Sequence, residues 1–170
     1  MHRIKWTDRQ FAFDFPVETY PELLERLRGT PVRVAERLRT VPRERLVRRS
    51  GSAWSMQEHA GHLADLDERL FLPRLDEYEF KVATLRAADM TNRATEEANH
   101  NAATLEAVLA ELAASRARVM TRLEALEPDV FARTALHPRL GRDLRLVDLL
   151  YFHAEHDDYH LASITALLGS

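Results

Sequence analysis

Residues 101–126, NAATLEAVLAELAASRARVMTRLEAL, place Leu105, Leu109, Leu112, Val119, Leu123 and Leu126 at intervals of three, four or seven. That spacing lines one face of an α-helix with apolar side chains, and the Ala, Glu and Arg between them are strong helix formers. Pro128 ends the run. The same pattern recurs on both sides. Toward the C-terminus, the loop-like His137-Pro138-Arg139-Leu140-Gly141 leads into a further apolar-periodic stretch from about Leu146 to Leu168, closed by Gly169. Toward the N-terminus, Ser55 followed three residues later by Glu58 forms the reciprocal capping pair of a helix start, predicting a helix to about Tyr78 with a kink near residues 69–73, before Pro73. A less regular connection, roughly Glu79 to Asn99, follows.

A first helix is predicted from near Tyr20, with Leu23, Leu24, Leu27, Val34, Ala35 and Leu38 on its buried stripe and a break at Gly29-Thr30-Pro31. Ahead of it, Phe11, Phe13 and Phe15 alternate, as in an extended strip packed on the helices. Only 5 glycines occur in 170 residues. The expected fold is therefore all-α, a single domain over residues 1–170 in which four amphipathic helices bury their stripes as a bundle.

Composition excludes several function classes. With no cysteine there is no disulfide, thiolate metal site or protein thiol nucleophile. A formal net charge of -3 provides no field for nucleic acid or anionic lipid, so neither partner is expected. No apolar run spans a membrane or resembles a signal-peptide core, which gives a cytoplasmic expectation. Of 24 basic residues 22 are arginine, and seven of these lie between Arg33 and Arg49 with two glutamates. This stretch reads as a solvated helix face and loop rather than a site for an anionic cosubstrate.

Five of eight histidines fall in two groups: His59 and His62 on the second helix, His153, His156 and His160 on the fourth. His156 and His160, one turn apart, can chelate one ion, whereas His153 lies about 10 Å along the axis from His160. A third ligand must come from another helix. His59 and His62 both qualify by periodicity, and Asp65, three residues after His62, tilts the choice toward it as a carboxylate able to orient the ring. Glu155, Asp157 and Asp158 suit either a solvated face or orientation of the imidazoles. His100 and His137 read as ordinary loop histidines, and Trp54 as packing beside the helix cap.

The stretch 54–66, WSMQEHAGHLADL, together with 154–161, AEHDDYHL, resembles the DinB/YfiT-like superfamily, and the aromatic strip, residues 88–92 and Leu136–Leu140 extend the similarity over nearly the whole chain. The resemblance implies a four-helix bundle with up-down-down-up order. It also implies a divalent ion (zinc, nickel or another first-row metal) held by His62, His156 and His160, which decides against His59 and His153. Homodimers are common in the family. Members often carry an additional histidine where Tyr159 stands here, and no substrate-pocket residue transfers.

Three neutral imidazoles leave a coordination position open, where a divalent ion can lower the pKa of water or bind a thiolate. The small-molecule substrate is then either hydrolysed, with Asp65 or Asp157 orienting a ring or taking a proton, or attacked by a low-molecular-weight thiol. Family members that use bacillithiol or mycothiol favour the thiol. The alternative is a non-catalytic metal-binding stress-response protein.

Overall fold

The computed structural model describes residues 4–169, so Met1, His2 and Arg3 of the opening strip, and Ser170, lie outside it. The first bundle helix is two pieces, α1 (Tyr20–Arg28) and α2 (Thr30–Leu38), with Pro21 and Pro31 each in a first turn, where a missing N–H costs least. A short α3 (Arg43–Leu46) follows. The second bundle helix begins as α4 (Met56–Leu66), where the Ser55 side chain accepts the Glu58 N–H and the Glu58 carboxylate accepts the Ser55 N–H.

The kink expected before Pro73 is a π-helical turn over Asp67–Phe71, continuing into α5 (Leu72–Glu79). Pro73 has no N–H for the Arg69 carbonyl and would crowd it, and the wider turn relieves that conflict. The connection that follows contains the short α6 (Arg93–Ala98). The third bundle helix, α7 (Leu105–Glu124), starts four residues later than the periodicity suggests, because Thr104 caps it by accepting the Ala107 N–H. The stretch read as loop is the turn of a hairpin, residues 138–141, flanked by two strands: β1 (Thr134–His137) pairs antiparallel with β2 (Arg142–Arg145), Thr134 opposite Arg145 and His137 opposite Arg142. Gly141, at φ 63°, supplies the left-handed residue of its turn. The fourth bundle helix, α8 (Leu146–Leu168), has the bounds the sequence predicts.

Side-chain pairs give the helix directions. Arg26, Arg33 and Arg37 meet Glu155, Asp158 and Thr165 in that order, so the first and fourth helices are parallel. Asp67 and Asp76 meet Arg116 and Arg122, making the second and third parallel. His59 meets His160 while Asp67 meets His153, so the second opposes the fourth. The order is up-down-down-up, and the connection between α5 and α7 must cross back along the bundle. The expected extended strip is present, with Phe11 and Phe13 against Phe152 and Tyr151 at 5.0 and 6.1 Å between ring centroids.

Two apolar clusters fill the interior, one around Leu27, Phe71, Val119 and Leu149, the other around Val34, Leu63, Leu112 and Ile164. Between them each bundle helix contributes a buried polar residue: Thr30, Asp67, Arg116 and Asp157. Arg116 Nε donates to Asp67 at 2.8 Å, and its Nη1 donates to Asp157 at 2.6 Å and to the Leu27 carbonyl at 2.8 Å. A buried charge is tolerated when paired and hydrogen-bonded, and this layer satisfies both requirements. Burial opposes ionisation of Asp157, but Arg116 and the Thr30 hydroxyl outweigh it and hold that carboxyl down at about 2.

Candidate metal centre

His62 on α4 and the one-turn pair His156 and His160 on the antiparallel α8 converge beside the polar layer. Each offers a nitrogen, and these nitrogens lie within 4.8 Å of one another. One pair, His156 Nε2 and His160 Nε2, is 3.1 Å apart. Bonds of about 2.0–2.1 Å from nitrogen to a first-row ion separate neighbouring ligand atoms by about 3–3.4 Å, so this spacing suits a shared cation. All three rings are buried. Burial drives the His62 pKa down to about 4 and that of His156 well below its usual value. Neutral imidazoles keep a lone pair for a Lewis acid, and the all-nitrogen set fits a divalent first-row ion.

Further contacts fix the rings. The Thr95 hydroxyl donates to Asp65 Oδ2 at 2.9 Å, and the same oxygen faces His62 Nδ1 at 2.9 Å. With its proton committed to Asp65, Thr95 must accept from His62 Nδ1–H, which leaves the His62 Nε2 lone pair free. His100 Nε2 donates to Asp65 Oδ2 at 2.9 Å. Burial opposes ionisation of Asp65, but the hydrogen bonds from His100 and Thr95 lower its pKa, and Asp65 in turn raises that of His100. Gly61 makes the arrangement possible, since a Cβ there would sit 2.3 Å from His100 Cγ. On the other side, His59 Nδ1 lies 2.8 Å from His160 Nδ1, so His59 supports a ring of the centre from behind.

The sequence reading is corrected at several positions. Asp157 orients no imidazole, because its oxygens are taken by Arg116 and Thr30. Glu155 and Asp158 pair with Arg26, and Asp158 also with Arg33. His153, already set aside as a ligand by its spacing, stacks on Phe71 and donates to Asp67. His100 and His137 are buried rather than ordinary loop residues. Arg43 and Arg45 of the arginine-rich stretch tie backbone carbonyls, and Arg49 pairs with Glu58 and Glu96. The stretch is thus more than a solvated face, since several of its arginines tie it to other elements. Trp54 lies over the site itself, 4.6 Å from the His62 ring, with its N–H donated to Glu96.

The three histidines line a cavity of about 660 Å³ together with Trp6, Trp54 and Phe152. Such a volume, with mostly apolar walls and a few polar groups, is typical of small-molecule sites. Among the described residues no helix is long and apolar enough to cross a membrane.

Comparison with known proteins agrees with this architecture. YfiT from Bacillus subtilis, described as a probable metal-dependent hydrolase with an unusual four-helix bundle topology, superposes with a TM-score of 0.75 at 19% identity, over 94% of this chain and 91% of that one. The mycothiol-dependent maleylpyruvate isomerase superposes with a TM-score of 0.69 at 17% identity over 91% of this chain, which spans 63% of that enzyme's length. At these identities the likeness concerns the fold. No curated protein matches the chain in sequence. The sequence profile of the DinB superfamily matches residues 22–164, and the chain belongs to that superfamily.

Proposed function

We propose that His62, His156 and His160 hold one divalent first-row ion, and that the protein is an enzyme transferring a low-molecular-weight thiol to an electrophilic small molecule. The observation that carries this reading is the convergence of three buried imidazoles at the wall of a cavity with space for a thiol and its partner. When bound, the ion would supply Lewis acidity, either to a thiol or to water. The chain contributes the rest. Thr95 and His59 set two of the rings, and Trp54 and Phe152 offer apolar surface that displaces water from the reacting groups.

With no cysteine in the chain, a sulfur nucleophile has to arrive with the cosubstrate. A hydrolase of the kind ascribed to YfiT is the second reading. It would benefit from a general base, but the wall carboxylates Asp89 and Glu96 are engaged, Asp89 by Thr91 and Arg93 and Glu96 by Arg49 and Trp54. This favours the thiol reading. The proposal also takes the protein as a single-domain cytoplasmic homodimer, in keeping with the family resemblance.

The test is conjugation of monobromobimane to bacillithiol, mycothiol or glutathione by protein as purified, by chelator-stripped protein and by His156→Ala. Conjugation that disappears in the last two supports the transferase. Metal-dependent cleavage of p-nitrophenyl acetate without thiol would support the hydrolase instead. Metal-bound protein inactive in both assays would favour a non-catalytic binding protein.

A further inference from the structure

Two other arginines, Arg74 and Arg139, line the cavity that holds the histidines, and among the described residues neither is paired with a carboxylate. Arg74 is only 3% exposed. Its hydrogen bonds go to the Arg86 carbonyl and, at 3.3 Å, to His137 Nε2. Arg139 lies over the rings of Trp6 and Phe152, 5.6 and 5.2 Å from their centroids, and its buried Nη1 has no partner among the described residues. The nearby wall carboxylates are committed elsewhere, as described above.

His137, buried between these groups, has too many donors around it. Leu140 N–H points at its Nδ1 from 3.3 Å, while an Arg74 N–H faces Nε2. A neutral imidazole has one acceptor nitrogen, so one of these contacts sets a donor against a donor. Burial keeps the ring neutral, and Arg74 and Arg139 add to that effect, holding its pKa down at about 4. Among the described residues, the donors of two guanidiniums and an imidazole N–H therefore outnumber the acceptors in this corner. An oxyanion would supply the missing lone pairs and balance the charge.

The corner adjoins the histidine centre. Trp6, which carries Arg139 on its ring, stands edge-on to His156 at 4.9 Å between centroids. We propose that Arg139, Arg74 and His137 form an oxyanion subsite of the cavity, so that the substrate or cosubstrate carries a carboxylate or phosphate ester held here while its reacting group lies at the histidines. The second half of that statement rests on the proposed metal function. Anion binding itself does not.

The experiment is titration of the protein as purified with benzoate, phenyl phosphate and neutral benzamide, following tryptophan fluorescence, since Trp6 lies beside Arg139. An anion should bind at least about tenfold more tightly than benzamide, as expected for one charge-assisted hydrogen-bonded contact. The better of the two anions identifies the head group. Arg139→Gln should erase the preference without changing metal content, and Arg139→Lys should restore part of it. Equal affinity of benzamide and both anions, or an unchanged preference in a folded Arg139→Gln, overturns the subsite. If the glutamine variant does not fold, the wild-type comparison and the lysine variant still decide.

Repeating the titrations after chelation separates the two readings. A preference that survives upholds the subsite whether or not the histidines hold metal. A preference lost on stripping alone places the anion at the histidine centre and overturns the subsite.

Discussion

Arg116 and Arg74 are buried guanidiniums and Arg139 a half-buried one in the same bundle, and the first is treated in the opposite way to the other two. Arg116 is 1% exposed and reaches two carboxylates, a carbonyl and the neighbourhood of His153, so its charge is balanced inside the protein. Among the described residues Arg74, 3% exposed, has a carbonyl and an imidazole but no carboxylate, and Arg139 leaves a buried nitrogen unpaired. Burial is similar for Arg116 and Arg74, yet only the first environment is complete. Arg116 faces the interior between two apolar clusters, whereas the other two line a cavity. A polar group closed within the core serves the fold; one left short of a partner beside a cavity points to a ligand.

The largest expected effect comes from breaking the closed layer. Arg116→Leu leaves Asp67 and Asp157 buried without their cation and should cost about 3–5 kcal/mol in urea unfolding. Arg139→Leu, which removes an unpaired charge, should leave stability unchanged or slightly higher. If the two variants lose similar stability, the contrast fails.

A second, smaller effect concerns orientation of the centre. Thr95→Val removes the oxygen that accepts from His62 Nδ1 and should weaken metal affinity by about 10–100-fold in a competition titration, while the fold is retained. Unaltered affinity would mean that the Asp65–Thr95–His62 relay has no part in holding the ring.

The smallest effect is a pH dependence from the incomplete corner. The pKa of His137 is depressed in the folded protein, to about 4, so between roughly pH 6.5 and 4 the unfolded chain binds more protons. Stability is complete above that window and falls as pH drops through it, by about 1–2 kcal/mol once solvent screening at the cavity wall is allowed for. His137→Asn should flatten this portion of the stability profile. An identical acid slope in wild type and variant would assign the loss to other groups.

Much of this arrangement is legible in the sequence because it is local. The Ser55–Glu58 capping pair and the bounds of the fourth helix are read from neighbouring residues, and both are as expected. The site residues that escape are those whose partners are distant in the chain. His100 reaches Asp65 across 35 positions and His137 reaches Arg74 across 63, and no spacing rule connects them. One signal was available for His100: Gly61 lies inside a helix, where glycine is unfavourable unless something packs closely against it. The hairpin escaped because four-residue strands show too little alternation to stand out from a loop. The acidic residues flanking His156 misled for a related reason, since immediate neighbours on a helix point in different directions. They meet arginines on other helices instead of the imidazoles.

The central claim is that His62, His156 and His160 share one ion. Its most direct test is elemental analysis of tag-free protein beside a folded His156→Ala variant, with bound metal counted per chain. About one first-row ion per wild-type chain, largely lost in the variant, is the predicted result. Equal metal in the two proteins, or none in the wild type after growth and reconstitution with zinc and nickel, would contradict it.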